Sequence, residues 1–264
     1  MYLNIKNIIK LQKFKKYRIK SNYLIVEGNR EILMALNGNF KLYKVFICKD
    51  IFYKKKIKNC FLKEFIIKIN KKNYSKITYR KKTEGILGIF FKKKIDFKKK
   101  IKKINFKKKK IIIIDNIEKP GNIGAIIRTI EATKIINYII FFKKKDIYNP
   151  NIIRSSLGCI FIIPILILNF KLIKKYILLK KNIYLLGTSI YKKNSICLYK
   201  KNINYTKKSI CIILGNENNG ISNIYKKYIK KYINIPMYGI INSLNVSNSF
   251  AIIIYEILRK IKFN

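Results

Sequence analysis

The stretch "IIIIDNIEKPGNIGAIIRTIEA", residues 111–132, contains the change of pattern that decides the fold. Its four isoleucines form a short apolar run of the kind found in strands that are buried on both faces. Asp115 ends the run, and a polar segment with Pro120 leads into a helical spacing of apolar residues that carries Arg128. The stretch therefore predicts a buried strand, a turn at its carboxyl end and a helix.

The same alternation of apolar run and helical spacing continues to the end of the chain. Strands rich in Ile, Val and Leu that alternate with helices are typical of a parallel sheet covered on both faces. Ligands bind beyond the carboxyl ends of such strands. We therefore expect the functional site in four loops that carry Asn, Gly and other polar residues, namely 115–124, 187–188, 215–222 and 236–248.

The N-terminal part of the chain predicts a separate, smaller α/β unit. Residues 22–50 read as strand, helix and strand, and residues 84–90 read as a further strand that follows a glycine turn. The Lys-rich segment "KKKIDFKKKIKKINFKKKK" (92–110) comes next, either as a solvated linker or as part of a basic surface. The expected organisation is a domain at 1–95, a linker at 96–110 and a second domain at 111–264.

The composition adds a strong positive charge whose origin the sequence alone leaves open. The 264 residues include 60 Lys and Arg against 12 Asp and Glu, for a formal net charge of +48 at pH 7. Such an excess is typical of proteins that bind nucleic acid. Nearly all of it is Lys, however, and Lys shares A/T-rich codons with the equally abundant Ile and Asn. The base composition of the gene therefore explains the charge as well as function does.

The residues that are missing exclude several kinds of chemistry. The sequence contains no His, which rules out imidazole bases and metal sites with His ligands, and we expect no metal. The five cysteines are isolated, which predicts small buried residues in a reducing cytosol. The N-terminus does not resemble a signal peptide, and the apolar runs fall short of the roughly 20 residues of a membrane span. We therefore expect a cytoplasmic protein without membrane contact.

Three segments resemble, in order and spacing, the three motifs of the SpoU (TrmH-like) RNA ribose 2'-O-methyltransferases of the knotted SPOUT superfamily. They are "DNIEKPGNIGAIIRTIEA" (115–132), "ILGNENNGIS" (213–222) and "IPMYGIINSLNVSNSFAIIIYE" (235–256). "IIRSSLGCIFIIPI" (152–165) resembles the stretch between the family's first two motifs. "KYRIKSNYLIVEGNREILMAL" and "TEGILGIF" are similar to the ribosomal-protein-like substrate-binding domain of rRNA-modifying members.

The resemblance implies a fold, a cofactor and partners. The fold would be α/β, with a deep trefoil knot in the C-terminal parallel-sheet domain and a small ribosomal-protein-like α/β domain before it. The cofactor would be S-adenosyl-L-methionine, and the substrate RNA. A homodimer is also expected, because the family's cofactor site lies near a two-fold interface. The helix "SFAIIIYEILRKI" (249–261) is moreover apolar on more faces than one surface helix needs.

The cofactor contacts of the family fall on three residues of this sequence, Gly215, Ile235 and Leu244. Near neighbours expected at the same site are Leu186, Gly187, Thr188, Met237 and Ser243. These residue types suit an adenine ring, because Gly lets the backbone approach a ligand closely and Ile and Leu pack against a flat face.

The catalytic positions of the family match Asn122, Arg128, Glu217, Asn245 and Ser247. Methyl transfer from a sulfonium needs alignment of the ribose hydroxyl rather than activation of the leaving group. Arg128 would offer a planar fork of donors, held in place by Asn122 and Glu217. Deprotonating an arginine costs about 9 kcal/mol at neutral pH, so we expect Arg128 to be a cationic clamp rather than a base.

The resulting hypothesis is S-adenosylmethionine-dependent methylation of a ribose 2'-OH, with 23S rRNA as the expected substrate. Two alternatives stay open, namely a tRNA 2'-O-methyltransferase and a non-catalytic RNA-binding factor of ribosome assembly. The substrate-binding-like N-terminal domain favours rRNA over tRNA. The presence of Asn122, Arg128, Glu217 and Asn245 argues against a non-catalytic factor. A dehydrogenase is disfavoured because the chain lacks the glycine pattern that binds dinucleotides.

Overall fold

The computed structural model describes residues 4–52, 63–80, 82–142, 145–188, 195–200 and 208–263. The chain divides into two compact units. The first consists of residues 1–94 and 146–162, and the second of residues 95–145 and 163–264. The division differs from the expected one in two segments, 96–110 and 146–162.

The first unit contains a four-stranded sheet. Its strands are β1 (Tyr23–Glu27), β2 (Leu42–Cys48), β3 (Ile66–Ile69) and β4 (Ile86–Phe91). They lie in the order β1-β4-β2-β3, with β4 antiparallel to both neighbours and β2 parallel to β3. The helices are α1 (Ile5–Lys13), α2 (Lys15–Lys20), α3 (Asn29–Asn37), α4 (Lys71–Ile77) and α7 (Pro150–Ser155). The strand–helix–strand pattern predicted for residues 22–50 is confirmed by β1, α3 and β2.

The segment 146–162 packs into the first unit, although the sequence placed it in the C-terminal domain. Arg18 donates to the Asp146 carboxylate at 2.8 Å, and both side chains are more than 90% buried. A Cβ added to Gly38 would collide with the carbonyl oxygen of Phe161, and one added to Gly158 would collide with the side chain of Met34. The close approach of these backbones shows that the segment completes the core of the first unit.

The second unit is built on a parallel seven-stranded sheet. Its strands are β5 (Lys110–Ile114), β6 (Tyr138–Phe142), β7 (Ile165–Leu168), β8 (Ile183–Thr188), β9 (Ser195–Cys197), β10 (Ser209–Leu214) and β11 (Lys231–Asn234). They lie in the order β7-β6-β5-β10-β8-β11-β9, and every neighbouring pair is parallel. The predicted buried parallel sheet is therefore confirmed.

Helices cover this sheet. They are α5 (Phe97–Lys102), α6 (Pro120–Thr133), α8 (Phe170–Ile173), which continues into a π-helical turn at Lys174–Leu178, α9 (Asn223–Lys226) and α10 (Val246–Lys262). α6 and α10 pack against each other. Pro120 at the first turn of α6 suits a helix start, because its missing N–H has no intrahelical partner there.

The Lys-rich segment 96–110 belongs to the second unit, whereas the sequence suggested a linker. Ile101 is fully buried and Phe106 is 8% exposed, and both lie in the core beneath the sheet. The apolar residues of this segment anchor it, so its lysines occupy a fixed surface. Among the described residues, no helix combines the length and the apolar character needed to cross a bilayer.

Candidate active site

Polar loops surround an open cavity at the carboxyl edge of the second unit's sheet. They follow β5 at Asp115, β10 at Gly215 and β11 at Ile235, and the strands are parallel, so these loops leave from the same edge. The cavity has a volume of about 800 Å³, which lies within the usual range for small-molecule sites. Each of the four loops singled out in the sequence contributes lining residues.

Hydrogen bonds tie the loop after β5 to the loop after β10. The buried carboxylate of Asp115 accepts from the Ser222 backbone N–H at 2.7 Å and from the Ser222 hydroxyl at 3.0 Å. The Asn216 amide donates to the Asn116 carbonyl at 3.0 Å and to Glu118 Oε1 at 3.1 Å. The two loops therefore form one frame that carries the remaining polar side chains.

Asn122, Glu217 and Asn245 form a hydrogen-bonded chain across three loops. Asn122 is 8% exposed near the start of α6 and donates to Glu217 Oε1 at 2.6 Å. Asn245 donates from its side chain to Asn122 Oδ1 at 3.1 Å. The Asn245 Oδ1 in turn accepts from the Ser247 N–H at 2.9 Å and from its hydroxyl at 2.6 Å, which caps α10. Four of the five predicted catalytic residues thus lie together.

The pKa of the Glu217 carboxyl is lower than its ordinary value. Burial alone would raise the pKa. The hydrogen bond from Asn122, those from the backbone N–H groups of Glu217 and Glu118, and the positive charge of Lys119 together outweigh burial. Glu217 is therefore ionised at neutral pH and can accept hydrogen bonds from a ligand.

Arg128, the fifth predicted catalytic residue, lies on an exposed part of α6. Among the described hydrogen bonds and ion pairs, none joins its guanidinium to Asn122 or Glu217. The Glu217 carboxylate accepts instead from Asn122 and from backbone N–H groups, including that of Glu118. Six residues at about 100° each leave side chains 122 and 128 about 120° apart around a helix. The expected fork held by Asn122 and Glu217 is for this reason not formed in the structure.

Six of the eight residues expected at the cofactor line the cavity, namely Thr188, Gly215, Ile235, Met237, Ser243 and Leu244. The other two, Leu186 and Gly187, are buried within β8 and do not line it. A Cβ on Gly187 would lie 2.8 Å from the ring of Tyr232 on the neighbouring strand. Gly187 is therefore explained by packing inside the sheet.

Gly215, which lines the cavity, also has a steric role within its own loop. A Cβ at this position would collide with the backbone of Gly220 and would lie 2.5 Å from the N atom of Ile221. Asn216 and Gly220 pair their backbones in both directions just beyond it. The glycine therefore lets the loop fold tightly onto itself.

Sequence reasoning missed several lining residues, notably Lys119, Asn216 and Lys226. Asn216 lies between two residues that were singled out, so its position was a usable signal. The two lysines could not be distinguished in a chain with 60 basic residues. Lys119 and Lys226 nevertheless make the charged lining of the cavity net positive, since Glu217 is the one carboxylate among the described lining residues.

The arrangement suits hydrogen-bond positioning of a ligand. The described residues contain no group of three or more His, Cys, Asp or Glu with the geometry of a metal site. Amide groups and one ionised carboxylate can hold a hydroxyl group in a fixed direction. Such a site can align two reactants, and alignment is a major source of rate enhancement in group transfer.

Comparison with known proteins establishes the family. Residues 109–255, more than half of the chain, match the SpoU rRNA Methylase family. Residues 3–88 match the MRM3-like substrate binding domain. The chain therefore belongs to the SpoU rRNA Methylase family, as its three motifs indicated.

Two relatives illustrate the sequence similarity. An uncharacterized tRNA/rRNA methyltransferase of Borreliella burgdorferi is 34% identical over 206 residues, which cover 74% of this chain and 88% of that protein. A protein of Staphylococcus aureus assigned to the TrmH family of tRNA/rRNA methyltransferases is 32% identical over 151 residues, 57% of this chain. That match spans 58% of the Staphylococcus protein's length.

Solved structures show the same fold. An AdoMet-bound rRNA methyltransferase from Sinorhizobium meliloti superposes with a TM-score of 0.81 at 22% identity, over 98% of this chain and 95% of that one. The SpoU methyltransferase AviRb from Streptomyces viridochromogenes, in complex with AdoMet, gives a TM-score of 0.82 at 20% identity, over 98% of each chain. The α/β architecture with a parallel seven-stranded sheet is therefore shared with them.

Proposed function

We propose that the protein is an S-adenosyl-L-methionine-dependent RNA ribose 2'-O-methyltransferase whose substrate is ribosomal RNA, most specifically 23S rRNA. The observation that carries this proposal is the hydrogen-bonded chain of Asn122, Glu217 and Asn245 beside the cavity. Membership of the SpoU family supports methyl transfer to RNA. The MRM3-like substrate binding domain at residues 3–88 supports recognition of a substrate RNA, and the family and a neighbour described as an rRNA methyltransferase support rRNA as that substrate.

The chemistry of the cavity fits S-adenosylmethionine. Ile233, Ile235 and Leu244 provide apolar side chains for a flat adenine ring, and Thr188 and Ser243 provide hydroxyl groups for its polar edges. Two neighbours of known structure contain AdoMet, which supports the same cofactor here. When bound, the cofactor supplies a methyl group on a positively charged sulfur, which is already a good leaving group.

The residues of this chain would hold the ribose hydroxyl. Ionised Glu217 can accept a hydrogen bond from the ribose hydroxyl at a carboxylate oxygen, and Asn122 keeps that carboxylate in one orientation. The hydroxyl proton leaves late in methyl transfer, to phosphate or water. The lowered pKa makes Glu217 a weak base, so we assign it an orienting role. Arg128 is exposed on α6 and is proposed as the cation that meets the RNA phosphate beside the target ribose.

Three further features belong to the proposal. We infer the trefoil knot of the family in the second unit, a homodimer, and a cytoplasmic location. The homodimer is supported by an exposed apolar loop in which Tyr238 and Ile240 are almost fully exposed and Ile241 is 64% exposed. Contiguous exposed apolar residues often mark a protein interface.

The test is methyl transfer from S-adenosylmethionine with a radioactive methyl group to 23S rRNA, 16S rRNA and tRNA transcripts. We expect one labelled nucleotide in 23S rRNA, with the phosphodiester bond after it resistant to alkali because the 2'-OH is blocked. Asn245→Ala should abolish labelling. Label on a base, or on no RNA at all, would refute the reaction. Label confined to tRNA would support the tRNA enzyme instead.

A further inference from the structure

A row of lysines lies along the edge of the second unit's sheet that is opposite to the cavity. β5, β10 and β8 are neighbours in the sheet. β5 and β10 begin directly after Lys109 and Lys208, and β8 begins two positions after Lys181. Neighbouring strands lie about 4.8 Å apart. The set, here called the lysine edge, consists of Lys107, Lys108, Lys109, Lys110, Lys180, Lys181, Lys208 and Lys230.

The backbone of the lysine edge is fixed by the core. The Ser209 hydroxyl donates to the Phe106 carbonyl at 2.7 Å, and the Ile210 N–H donates to the Lys109 carbonyl at 3.0 Å. The Phe106 side chain is itself buried. The lysines therefore project from anchored strand ends, and six of the eight are exposed, all except the half-buried Lys109 and Lys110.

Two of these lysines share one aromatic ring. The Nζ atoms of Lys208 and Lys230 lie 5.5 Å and 5.7 Å from the ring centroid of Tyr184, the second residue of β8. The face of the ring attracts both ammonium groups. Two positive charges therefore lie close together at this point of the lysine edge.

Carboxylates do not offset this charge. The sequence contains no Asp or Glu between Asp146 and Glu217. In the second unit, Asp115, Glu118 and Glu217 lie at the cavity edge, and Asp96 accepts backbone hydrogen bonds at the start of α5. Glu131 and Glu256 pair with cations on their own helices. Burial and the charge of Lys109 lower the pKa of Lys110, as expected for crowded cations.

We propose that the lysine edge is a second RNA-contact surface, which binds backbone phosphates of the substrate remote from the nucleotide that is methylated. A phosphate polymer suits a row of point charges, because each ammonium group can neutralise one phosphate and release its counterions. The identity of the partner rests on the proposed function. The location of the surface rests on the sheet register and the charges alone.

The experiment compares two triple variants that remove the same charge from the second unit. The edge variant is Lys108→Gln, Lys181→Gln and Lys208→Gln. The control is Lys171→Gln, Lys174→Gln and Lys175→Gln, three exposed lysines on the helix that precedes β8. Binding of each protein to a 20-base-pair RNA duplex and to a 23S rRNA transcript is measured between 50 and 200 mM salt.

For the edge variant, the slope of log K against log salt concentration should be smaller in magnitude by about 2 to 3. Each lost phosphate contact reduces the magnitude of that slope by about 0.7–0.9. The control should change the slope by less than 1. Turnover at saturating RNA and affinity for S-adenosylhomocysteine should stay at wild-type levels in both. Thermal unfolding should show no loss of stability in the edge variant, because removing crowded cations relieves repulsion.

Equal slopes for the two variants would overturn the lysine edge as an RNA surface. Tighter binding to vesicles with anionic lipid than to RNA, lost in the edge variant, would assign the surface to a membrane instead. The proposed function fails separately. Suppose that the wild-type protein binds RNA with the expected salt dependence but transfers no methyl group. That result would refute the proposed methyltransferase activity and would still support the lysine edge as an RNA-contact surface.

Discussion

At the scale of single residues, the site depends on the direction of two amide groups. Asn122 donates from its nitrogen to Glu217 and accepts at its oxygen from Asn245, so a single side chain orients both neighbours. An aspartate has nearly the same shape as asparagine but cannot donate when ionised. This difference allows the role of the hydrogen bond to be separated from that of shape.

Asn122→Asp should reduce methyl transfer at pH 7.5 at least a hundredfold, about 2.7 kcal/mol of transition-state stabilisation. Two adjoining carboxylates cannot both stay ionised cheaply, so one pKa of the pair rises and protonation restores a donor. Single-turnover rates from pH 5 to 8 should therefore recover, relative to wild type, as the pH falls. Asn122→Ala is the control and should show no recovery. If the rate of Asn122→Asp relative to wild type did not change with pH, the proposed role of the hydrogen bond would be contradicted.

The ionised state of Glu217 gives the wild type its own pH behaviour. Because its folded-state pKa is depressed, its contribution to stability is fully present above the ordinary carboxyl pKa of about 4.3 and is lost as the pH falls through the lowered value. Thermal unfolding between pH 3 and 6 should show a smaller loss of stability at the acid end for Glu217→Gln than for wild type. The same loss in both proteins would mean that other groups determine the acid limit.

Arg128 lies on the exposed part of α6, and its replacement tests the proposed clamp. Arg128→Lys keeps the charge and removes the planar fork. We expect a rate of methyl transfer about a hundredfold lower, with little change in the affinity for S-adenosylhomocysteine measured by calorimetry. Arg259→Lys, on the exposed part of α10, is the matched control. A normal rate for Arg128→Lys would show that a point charge suffices, and a lost cofactor affinity would show a structural role.

The residue types of the site were predictable, but their mutual geometry was not. The motifs identified Asn122, Glu217, Asn245 and Ser247, which the structure joins through hydrogen bonds. No sequence pattern reports the direction of a side chain around a helix axis, and this direction separates Arg128 from its expected partners. Lys119 was lost among the other lysines, although it lines the cavity.

At the scale of elements, the loop 215–221 is constrained by close contacts of its own backbone. Gly215→Ala should destabilise the protein by about 1–3 kcal/mol, because the added Cβ overlaps the backbone of Gly220 and Ile221. Cofactor binding should fall with it, since the same loop lines the cavity. Chemical denaturation and calorimetry measure the two effects.

Gly121→Ala is the stability control, because a Cβ there meets no atom within 4 Å. In a helix, alanine is favoured over glycine by about 0.5–1 kcal/mol. The control should therefore unfold at the same denaturant concentration as wild type or at a higher one. Equal destabilisation of both variants would contradict the steric explanation of Gly215.

Elements were predictable where their signals are local. The alternation of strand and helix from β5 onward follows from apolar runs and turn residues. Membership of segment 146–162 in the first unit does not, because it depends on contacts such as Arg18 with Asp146, 128 positions apart. The segment 96–110 likewise belongs to the second unit because Ile101 is buried in the core beneath the sheet, and the local sequence does not predict this contact.

At the scale of the whole molecule, the exposed loop at 238–241 tests the homodimer. Ile240→Glu places a charge on an isoleucine that is fully exposed in the single chain. If the loop is an interface, sedimentation at micromolar concentration should shift from dimer to monomer, because burying an unpaired charge is costly. Ile19→Glu, an exposed isoleucine of the first unit, should leave the dimer intact. A monomeric wild type would refute the homodimer.

The return of the chain to the first unit at residues 146–162 has a consequence for the synthesis of the protein. The first unit is interrupted after residue 94 and resumes at residue 146, so its core stays incomplete until residue 162 has left the ribosome. At about 5–20 residues per second, those 68 residues take about 3–14 seconds. During that interval β5, α6 and β6 are synthesised while the first unit is still incomplete. The first unit therefore cannot be completed until residues 95–145, the first part of the second unit, have also been synthesised.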